Sequence, residues 1–415
     1  MRIGIIGTGV AGCVLAEMLA AEPGVQVDAF DLRPAEAVAA AGTGLALAPN
    51  ALKALRLHLP ARHAVVRASS LPWRRWSIAT ATGDRLCALD LLSLAEEPGA
   101  RLRWSTLFRL VQAPLAGHSR HGLALESLEE DAIGRLVPIL RTPSGAVVRP
   151  AAYDLLVADD GRHSRLRAIT AGLERPRRPG VALTRLLVPD AEDCPFDDYG
   201  QWFNGQRQLL SYRLPEGAAL IAGTVPLPEP EAEVAEAART AELQQQLYAP
   251  ASAAPCEAVA WMIAALQRHV TRIRWGWMQE SPLRRSALGG RVLFLGEAAQ
   301  VMVPTLGQGT SQAIEDGVVA GAVLRRGGTT EDVAAWRDAR VAFVRRFSLE
   351  ASDTLLPGGD PVAGSIAKGS GAFRERLQRL YTDVPEPADF RGRAFGGPAE
   401  EARGALAPPV RQARA

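Results

Sequence analysis

Six residues near the N-terminus constrain the fold of this chain more than any other stretch: Gly7-Thr8-Gly9-Val10-Ala11-Gly12. The apolar run Arg2–Ile6 precedes them, and apolar residues at helical spacing follow from Cys13 to Ala21. A second apolar run, Val25–Phe30, ends in Asp31, about 20 residues beyond the motif. Strand, glycine turn, helix, strand and terminal carboxylate thus follow one another in the order that a dinucleotide-binding fold requires.

Each part of this pattern has a predicted role. Gly7 allows the tight turn, Gly9 lets the backbone approach a pyrophosphate, and Gly12 lets the helix pack closely on the strand. The helix N-terminus presents N–H groups and a partial positive charge to the phosphates. Asp31 is placed to accept hydrogen bonds from an adenosine ribose. The alternative is a glycine turn between buried elements that binds nothing, and the surrounding pattern disfavours it.

The composition excludes several classes of protein. The chain has 415 residues, enough for two domains or one large one, of which 47% are hydrophobic and 22% charged, as in soluble globular proteins. A net charge of +2 predicts no nucleic-acid partner. The cysteines and histidines are scattered along the chain, so no metal site is predicted. The cysteines are predicted to be reduced thiols in a cytoplasmic protein. No apolar run is long enough to span a bilayer, so no membrane association is predicted.

Two kinds of sequence pattern alternate along the chain. Hairpin patterns at residues 76–86 and 136–148 interrupt helical patterns at 51–57 and 101–115. Between residues 181 and 285, strand-like runs are followed by helical patterns near 231–247 and 258–269. The fold class predicted is α/β, with a discontinuous Rossmann-type domain interleaved with a β-sheet substrate domain and followed by a helical C-terminal region. The predicted bounds are 1–70, 101–180 and 286–350 for the first domain, 71–100 and 181–285 for the second, and 351–415 for a C-terminal extension that is partly disordered.

Three separated motifs define a family resemblance. They are Gly7-x-Gly9-x-x-Gly12, then Asp160-Gly161-x-x-Ser164-x-x-Arg167, then Gly296-Glu297-Ala298-Ala299 with Pro304-x-x-Gly307-Gln308-Gly309. In this order they resemble the single-component FAD-dependent aromatic hydroxylases, the family of p-hydroxybenzoate hydroxylase, over about residues 1–350. A Gly-Thr-Gly turn and an aromatic-containing segment near residue 104 are shared with the members that act on hydroxylated pyridines.

The resemblance implies roles for individual residues. The glycine motif and Asp31 would hold the adenosine diphosphate half of FAD, and Asp160 and Gly161 would lie near the pyrophosphate and the path of the nicotinamide cofactor. Glu297 would meet the ribityl chain, and residues 304–310 would line the isoalloxazine. The full set of predicted cofactor-binding residues is Gly7, Gly9, Val10, Ala11, Gly12, Asp31, Arg33, Gly44, Arg103, Asp160, Gly161, Gly296, Glu297, Pro304, Gly307, Gln308, Gly309 and Thr310.

Two departures from the family pattern concern the cofactor. Where the family usually has Gly-Asp-Ala-Ala-His, this chain has Glu297 and ends the motif in Gln300, so the ribityl contact is expected to shift. Where the family commonly places an Arg, this chain has Trp104, with Arg103 one position earlier. FAD is nonetheless the predicted cofactor, and NAD(P)H the transient reductant, because a second GxGxxG motif is lacking.

The implied reaction transfers one oxygen atom from a flavin 4a-hydroperoxide to an aromatic or N-heteroaromatic small molecule, with molecular oxygen as co-substrate. Predicted substrate contacts are Trp202, Tyr212, Arg213 and Met302, with Phe203 nearby; Tyr212 and Pro304 are the predicted catalytic residues. Since neighbouring strand residues point to opposite faces, at most one of Tyr212 and Arg213 faces the substrate. The alternatives are a flavin-dependent epoxidase or dehydrogenase on the same scaffold, and a non-catalytic FAD-binding protein. A homodimer is a further prediction.

Overall fold

The computed structural model describes residues 1–34, 42–172 and 174–391 of the chain. Its strands are β1 Arg2–Ile6, β2 Gln26–Asp31, β3 Gly44–Leu47, β4 Leu71–Trp73, β5 Arg75–Thr80, β6 Arg85–Asp90, β7 Gly99–Arg103, β8 Ser119–His121, β9 Ala124–Glu130, β10 Leu136–Arg141, β11 Val147–Val148, β12 Leu155–Ala158, β13 Val181–Val188, β14 Tyr199–Asn204, β15 Arg207–Arg213, β16 Ala219–Pro226, β17 Arg274–Trp277, β18 Ser286–Ala287 and β19 Val292–Phe294. Its α-helices are α1 Val10–Leu19, α2 Pro49–His58, α3 Pro60–Ala68, α4 Trp104–Gln112, α5 Arg165–Ala171, α6 Ala241–Tyr248, α7 Glu257–Arg268, α8 Gly296–Ala299, α9 Gln308–Leu324, α10 Thr330–Ala351, α11 Pro361–Ala367 and α12 Gly371–Thr382.

The first large sheet contains the glycine motif. Its strand order is β18-β19-β12-β1-β2-β8, parallel except for the edge strand β18. Ile3 and Ile5 of β1 pack in the core that contains α1 and α9, while Ile6 packs in the core on the opposite face. Buried on both faces, β1 and β12 consist almost entirely of apolar residues, as parallel strands between two layers do.

The second large sheet joins two distant stretches of chain. Its order is β17-β13-β16-β15-β14-β5-β6, with neighbouring strands antiparallel except for the parallel pair β14–β5. Its inner face carries Trp76, Tyr199, Tyr212 and Leu220 and shares a core with residues of the loop before α9. Its outer face packs against α6 and α7. The small sheet β3-β7-β4 and the helix α12 also border the inner face.

These elements confirm the predicted α/β class with a Rossmann-type sheet and C-terminal helices. The predicted helix over 101–115 begins only at Trp104, because residues 99–103 pair as β7 between β3 and β4. The predicted helix over 231–247 is reduced to Ala241–Tyr248. Residues 392–415 of the predicted disordered tail lie outside the described residues, whereas Phe390 is fully buried. The domain bounds stay a prediction.

Candidate active site

The glycine turn has the geometry that its sequence predicts. Gly7 has φ +89°, a conformation that favours glycine, and its N–H donates to the carbonyl of Phe30 at 2.7 Å. Helix α1 begins at Val10, and its N-cap Gly9 supplies no side-chain hydrogen bond. Because the first N–H groups of a helix have no partner within it, those of Val10 and Ala11 are available to an anion.

Asp31, at the end of β2, is an ionised carboxylate beside this turn. Its oxygens accept hydrogen bonds from the Thr8 hydroxyl at 2.6 Å, the Arg33 N–H at 2.7 Å and the Arg33 guanidinium at 3.1 Å. Burial opposes ionisation, but the hydrogen bonds from Arg33 and Thr8 outweigh it and lower the pKa of Asp31 to about 2. An acceptor of fixed charge therefore lies where the adenosine ribose is predicted.

Two consecutive carboxyl groups follow β12, next to β1. The Oδ2 atom of Asp160 caps α5 by accepting hydrogen bonds from the N–H groups of Arg165 and Leu166, at 2.7 and 3.2 Å. The Asp159 carboxyl instead turns under the glycine motif, where its Oδ2 accepts from the Gly12 N–H at 2.6 Å. A Cβ added at Gly9 would approach that oxygen to 2.6 Å. The side chain of Asp159 thus supplies a reason for glycine at position 9 besides the predicted one.

The segment from α8 to α9 forms the opposite wall. Gly296 has φ +55° and donates its N–H to the buried Asp316 at 3.0 Å. The half-exposed Glu297 pairs with Arg162 at 3.5 Å. A small cavity lies here, and its lining residues are Gly296, Glu297, Gln300, Met302, Gly309, Gln312 and Asp316.

The predicted flavin loop is a 3-10 turn, Pro304–Leu306, followed by Gly307 in the left-handed conformation, φ +63°. Gly307 is the N-cap of α9, so the positive end of that 17-residue helix faces the cavity beside Gly309. Nothing lies within 4 Å of a Cβ added at Gly309. The Gln308 side chain is buried and hydrogen-bonded to Asn50 at 3.0 Å, so the predicted contact of this residue with the cofactor is left to its backbone.

Two other predicted cofactor contacts have neighbours in the chain. A Cβ at Gly44 would meet the side chains of Leu214 and Leu220 at 2.8 Å, so the close approach at this glycine is to the second sheet. Arg103 pairs with Glu216 at 3.5 Å and lines a separate cavity of about 310 Å³ beside Arg109.

The inner face of the second sheet brings aromatic rings to the flavin loop. Tyr212 stacks on Tyr199 with ring centroids 5.4 Å apart, and Tyr199 stacks on Trp73 at 4.7 Å. The three rings share one buried cluster with Val303 and Leu306 of the loop, and the partly buried Met302 packs against it. Phe203 belongs to the same cluster.

The structure places Trp202 and Arg213 elsewhere, which corrects two predicted substrate contacts. Trp202 lies on the outer face with Phe196, 6.1 Å between ring centroids. The Arg213 guanidinium donates to the carbonyls of Cys194, Phe196 and Glu192 at 2.7 to 3.0 Å and so holds the preceding loop. Both residues follow inner-face residues by an odd number of positions along their strands, which turns them to the opposite face.

Several residues of the site carry no sequence motif. Helix α9 contributes Gln312, Glu315 and Asp316 to a buried network with Asn50, Arg337 and Arg340. Tyr199 and Trp73 complete the aromatic stack. The one available signal was the adjacent pair Glu315 and Asp316, the two charged residues of α9.

The polar atoms of the site fit a flavin dinucleotide. Asp160 Oδ1 and Gln300 Oε1 are buried, and neither has a hydrogen-bond partner within residues 1–34, 42–172 and 174–391. Hydroxyl groups of a ribityl chain would supply such donors, and phosphates would accept from the N–H groups of Val10 and Ala11.

Known proteins similar to this chain bear on the same site. No protein-family model matches the chain. The 3-amino-4-hydroxybenzoate 2-monooxygenase PtnB3 of Streptomyces platensis is 30% identical over 346 residues, which cover 78% of this chain and 79% of the relative. The chain belongs to the FAD-dependent aromatic hydroxylases. A second relative, the 6-hydroxynicotinate 3-monooxygenase of Pseudomonas fluorescens, is 25% identical and covers 84% of this chain and 90% of its own length.

The fold of this aromatic hydroxylase also matches a solved structure. Klebsiella pneumoniae HpxO complexed with FAD and uric acid superimposes with a TM-score of 0.72 at 22% identity, covering 94% of this chain and 96% of that one. This likeness confirms the predicted fold, and the sequence relatives confirm the predicted family and FAD as the cofactor. The chain is an FAD-dependent monooxygenase that uses NAD(P)H and oxygen to hydroxylate an aromatic or heteroaromatic small molecule. No helix within the described ranges is both long and apolar enough to cross a membrane.

Proposed function

We propose that this hydroxylase acts on a small ring that already carries a hydroxyl or ring-nitrogen group, bound between the inner face of the second sheet and the loop Pro304–Leu306. The observation that carries the proposal is the stack of Trp73, Tyr199 and Tyr212, which shares one buried cluster with Val303 and Leu306. Flat aromatic walls favour a flat aromatic ligand. The relatives named for aminohydroxybenzoate and hydroxynicotinate support a ring of this kind.

The chain's own residues would hold FAD in two halves. The N–H groups of the glycine turn bind the diphosphate, Asp31 the adenosine ribose, and Asp160 and Glu297 the region between diphosphate and ribityl chain. Bound there, FAD would supply the redox chemistry: electrons from NAD(P)H reduce O2, one oxygen atom is transferred to the ring and the other leaves as water. The positive N-terminus of α9 would stabilise negative charge on a flavin held beside it. The buried inner face excludes water from the ring and the reacting oxygen.

Tyr212 would orient the substrate. Burial raises the pKa of its hydroxyl, and the neighbouring Tyr199 adds to the effect, so the group stays protonated at neutral pH. A protonated hydroxyl donates a hydrogen bond to an oxygen or nitrogen of the ring and does not act as a base. Trp202 lies on the outer face and Arg213 holds the preceding loop, so neither is assigned a contact with the substrate.

Replacing Tyr212 by phenylalanine is expected to lower the rate of product formation about 10-fold, the cost of one buried hydrogen bond. NAD(P)H oxidation should continue, with more hydrogen peroxide per NAD(P)H consumed, because a poorly oriented ring intercepts less of the activated oxygen. Product and peroxide are measured together. The matched control is Tyr248→Phe, since Tyr248 is equally buried but lies in the outer-face core. Unchanged coupling in Tyr212→Phe would contradict the assigned role.

The substrate class is tested with purified holoenzyme and a panel of hydroxylated benzoates, pyridines and purines. NAD(P)H oxidation accelerated by one class, with stoichiometric hydroxylated product and little peroxide, is the expected result. Acceleration by a compound that is epoxidised or dehydrogenated would favour the alternative of a flavin-dependent epoxidase or dehydrogenase.

We also propose a cytoplasmic location, which the free thiols of all four cysteines support. We further propose a homodimer, which light scattering would test.

A further inference from the structure

Asp159 is a buried carboxyl group directly under the glycine turn. It is 7% exposed, follows the last residue of β12, and contacts the helix N-terminus through the 2.6 Å hydrogen bond from Gly12. A Cβ at Gly9 or Gly12 would approach its Oδ2 atom to 2.6 or 2.8 Å. The side chain therefore lies within contact distance of the same turn whose outer surface is placed to bind the diphosphate.

Other acidic groups surround Asp159, and each has its own partners. Asp31 pairs with Arg33 at 3.1 Å, and Asp316 with Arg337 at 2.9 Å and with Arg285 at 3.2 Å. Asp160 caps α5. The buried thiol of Cys13 on α1 is a further titratable neighbour.

Like Asp160, Asp159 has no ion-pair partner within the described part of the chain, but its carboxyl accepts one backbone N–H, from Gly12, where Asp160 accepts two, from Arg165 and Leu166. Burial raises the pKa of Asp159 well above its usual value, and Asp160, Asp31 and Asp316 add to the rise. A neutral carboxylic acid is thus compatible with this position, whereas a carboxylate would add a further buried negative charge with a single N–H to stabilise it.

We propose that Asp159 is a positioning residue for the FAD diphosphate that acts in its neutral form, so that FAD binding is coupled to protonation of this carboxyl. As a carboxylate, Asp159 would occupy the positive end of α1 from inside and repel the diphosphate across the turn. As a neutral acid, it keeps Gly12 and the turn in place and leaves the helix N-terminus to the phosphates. Where Asp159 begins ionised, each FAD bound takes up a proton from the solvent.

The sign of the pH dependence follows from linkage. A diphosphate favours the protonated form, so FAD binds best below the pKa of Asp159 and more weakly as the pH rises through it, by up to about tenfold per pH unit. The apoprotein follows the same direction. Because the pKa of Asp159 is raised on folding, its stabilising effect is present at low pH and is lost as the pH rises through the folded-state value.

The test uses full-length apoprotein and FAD, followed by quenching of flavin fluorescence between pH 5.5 and 8.5. The expected result is that the wild-type Kd for FAD rises at least tenfold over this range, whereas Asp159→Asn, which keeps the shape without the charge, stays within about threefold and binds more tightly at the upper end. Asp154→Asn is the matched control, since it removes an exposed carboxylate at the opposite end of β12, about 16 Å away, and should follow the wild type.

Calorimetry at pH 7.5 in two buffers of different ionisation enthalpy supplies a second measurement. Wild-type protein should take up a fraction of a proton per FAD that disappears in Asp159→Asn. If Asp159→Asn does not fold, Asp159→Ala serves in both measurements, because it also removes the ionisable group. Parallel pH profiles for the wild type and the Asp159 variants, or proton uptake that persists in the variants, would overturn the proposal. Neither measurement depends on which ring the enzyme hydroxylates.

Discussion

Replacing Arg337 with methionine is expected to lower the free energy of unfolding by about 3–5 kcal/mol. Arg337 is fully buried and donates to Asp316 at 2.9 Å, to Glu315 at 2.7 Å and to the Gln312 side chain at 2.8 Å. Methionine fills similar volume but leaves the two buried carboxylates short of a cation. Replacing a whole buried ion-pair cluster by apolar residues is often harmless, whereas removing one partner is costly because the other charge stays behind.

The matched control for this prediction lies on the same helix. Arg346 is 72% exposed and pairs with Glu350 at 3.8 Å, so Arg346→Met should leave stability nearly unchanged. Urea unfolding of both variants measures the difference. The effect also depends on pH: burial would raise the pKa of Glu315, but Arg340 and Arg337 lower it to about 2. The ionised Glu315 stabilises the fold at any pH above its pKa in the unfolded chain, and this contribution is lost as the pH falls toward 2. On acidification, Arg337→Met should therefore unfold at a higher pH than the wild type. Equal stability of the two variants would show that Arg340 and Arg285 suffice.

The loss of Arg337 should also disturb the loop predicted to line the flavin, Pro304–Leu306. Gln312 hydrogen-bonds Gln308 at 3.1 Å, and Gln308 follows the left-handed Gly307 at the start of α9.

Sequence inspection could not find the buried network around Arg337, because its members lie on α2, α9 and α10 and no local pattern links them. The glycine turn, Asp31 and the flavin loop were predictable, because each is a contiguous motif whose backbone requirements are written in neighbouring residues.

The substrate side shows a second limit of sequence inspection. Either Trp202 or Phe203 lies on the inner face of the second sheet, and likewise either Tyr212 or Arg213. Which one does depends on how each strand is oriented in the sheet. That choice is fixed by the parallel register of β14 with β5, which places Tyr199 opposite Trp76 from 123 positions earlier in the chain. The helix expected over 101–115 starts late for the same reason, since pairing with β3 converts its first residues to a strand.

Replacing Gly7 with alanine is expected to remove both stability and FAD binding. A residue with a side chain at φ +89° is strained by about 1–3 kcal/mol, and the added Cβ would overlap the backbone of Asp159 and Asp160, which adds about 1–3 kcal/mol of overpacking. The backbone of the turn must move to relieve that overlap, and the N–H groups that face the diphosphate move with it. We therefore expect the Kd for FAD to rise about 100-fold, which corresponds to the loss of one charge-assisted hydrogen bond.

The variant Gly24→Ala is the control that distinguishes backbone strain from steric overlap of the added Cβ. It has φ +78°, and nothing lies within 4 Å of an added Cβ, so Gly24→Ala should cost about 1–2 kcal/mol and leave FAD affinity unchanged. Thermal unfolding and flavin titration of both variants give the comparison. If Gly7→Ala bound FAD as tightly as Gly24→Ala does, the diphosphate could not rest on this turn. If Gly7→Ala lost FAD but kept the stability of Gly24→Ala, the turn would be loose enough in the apoprotein to absorb the Cβ, and its fixed shape would come from the cofactor and not from the packing of Asp159 against the glycines.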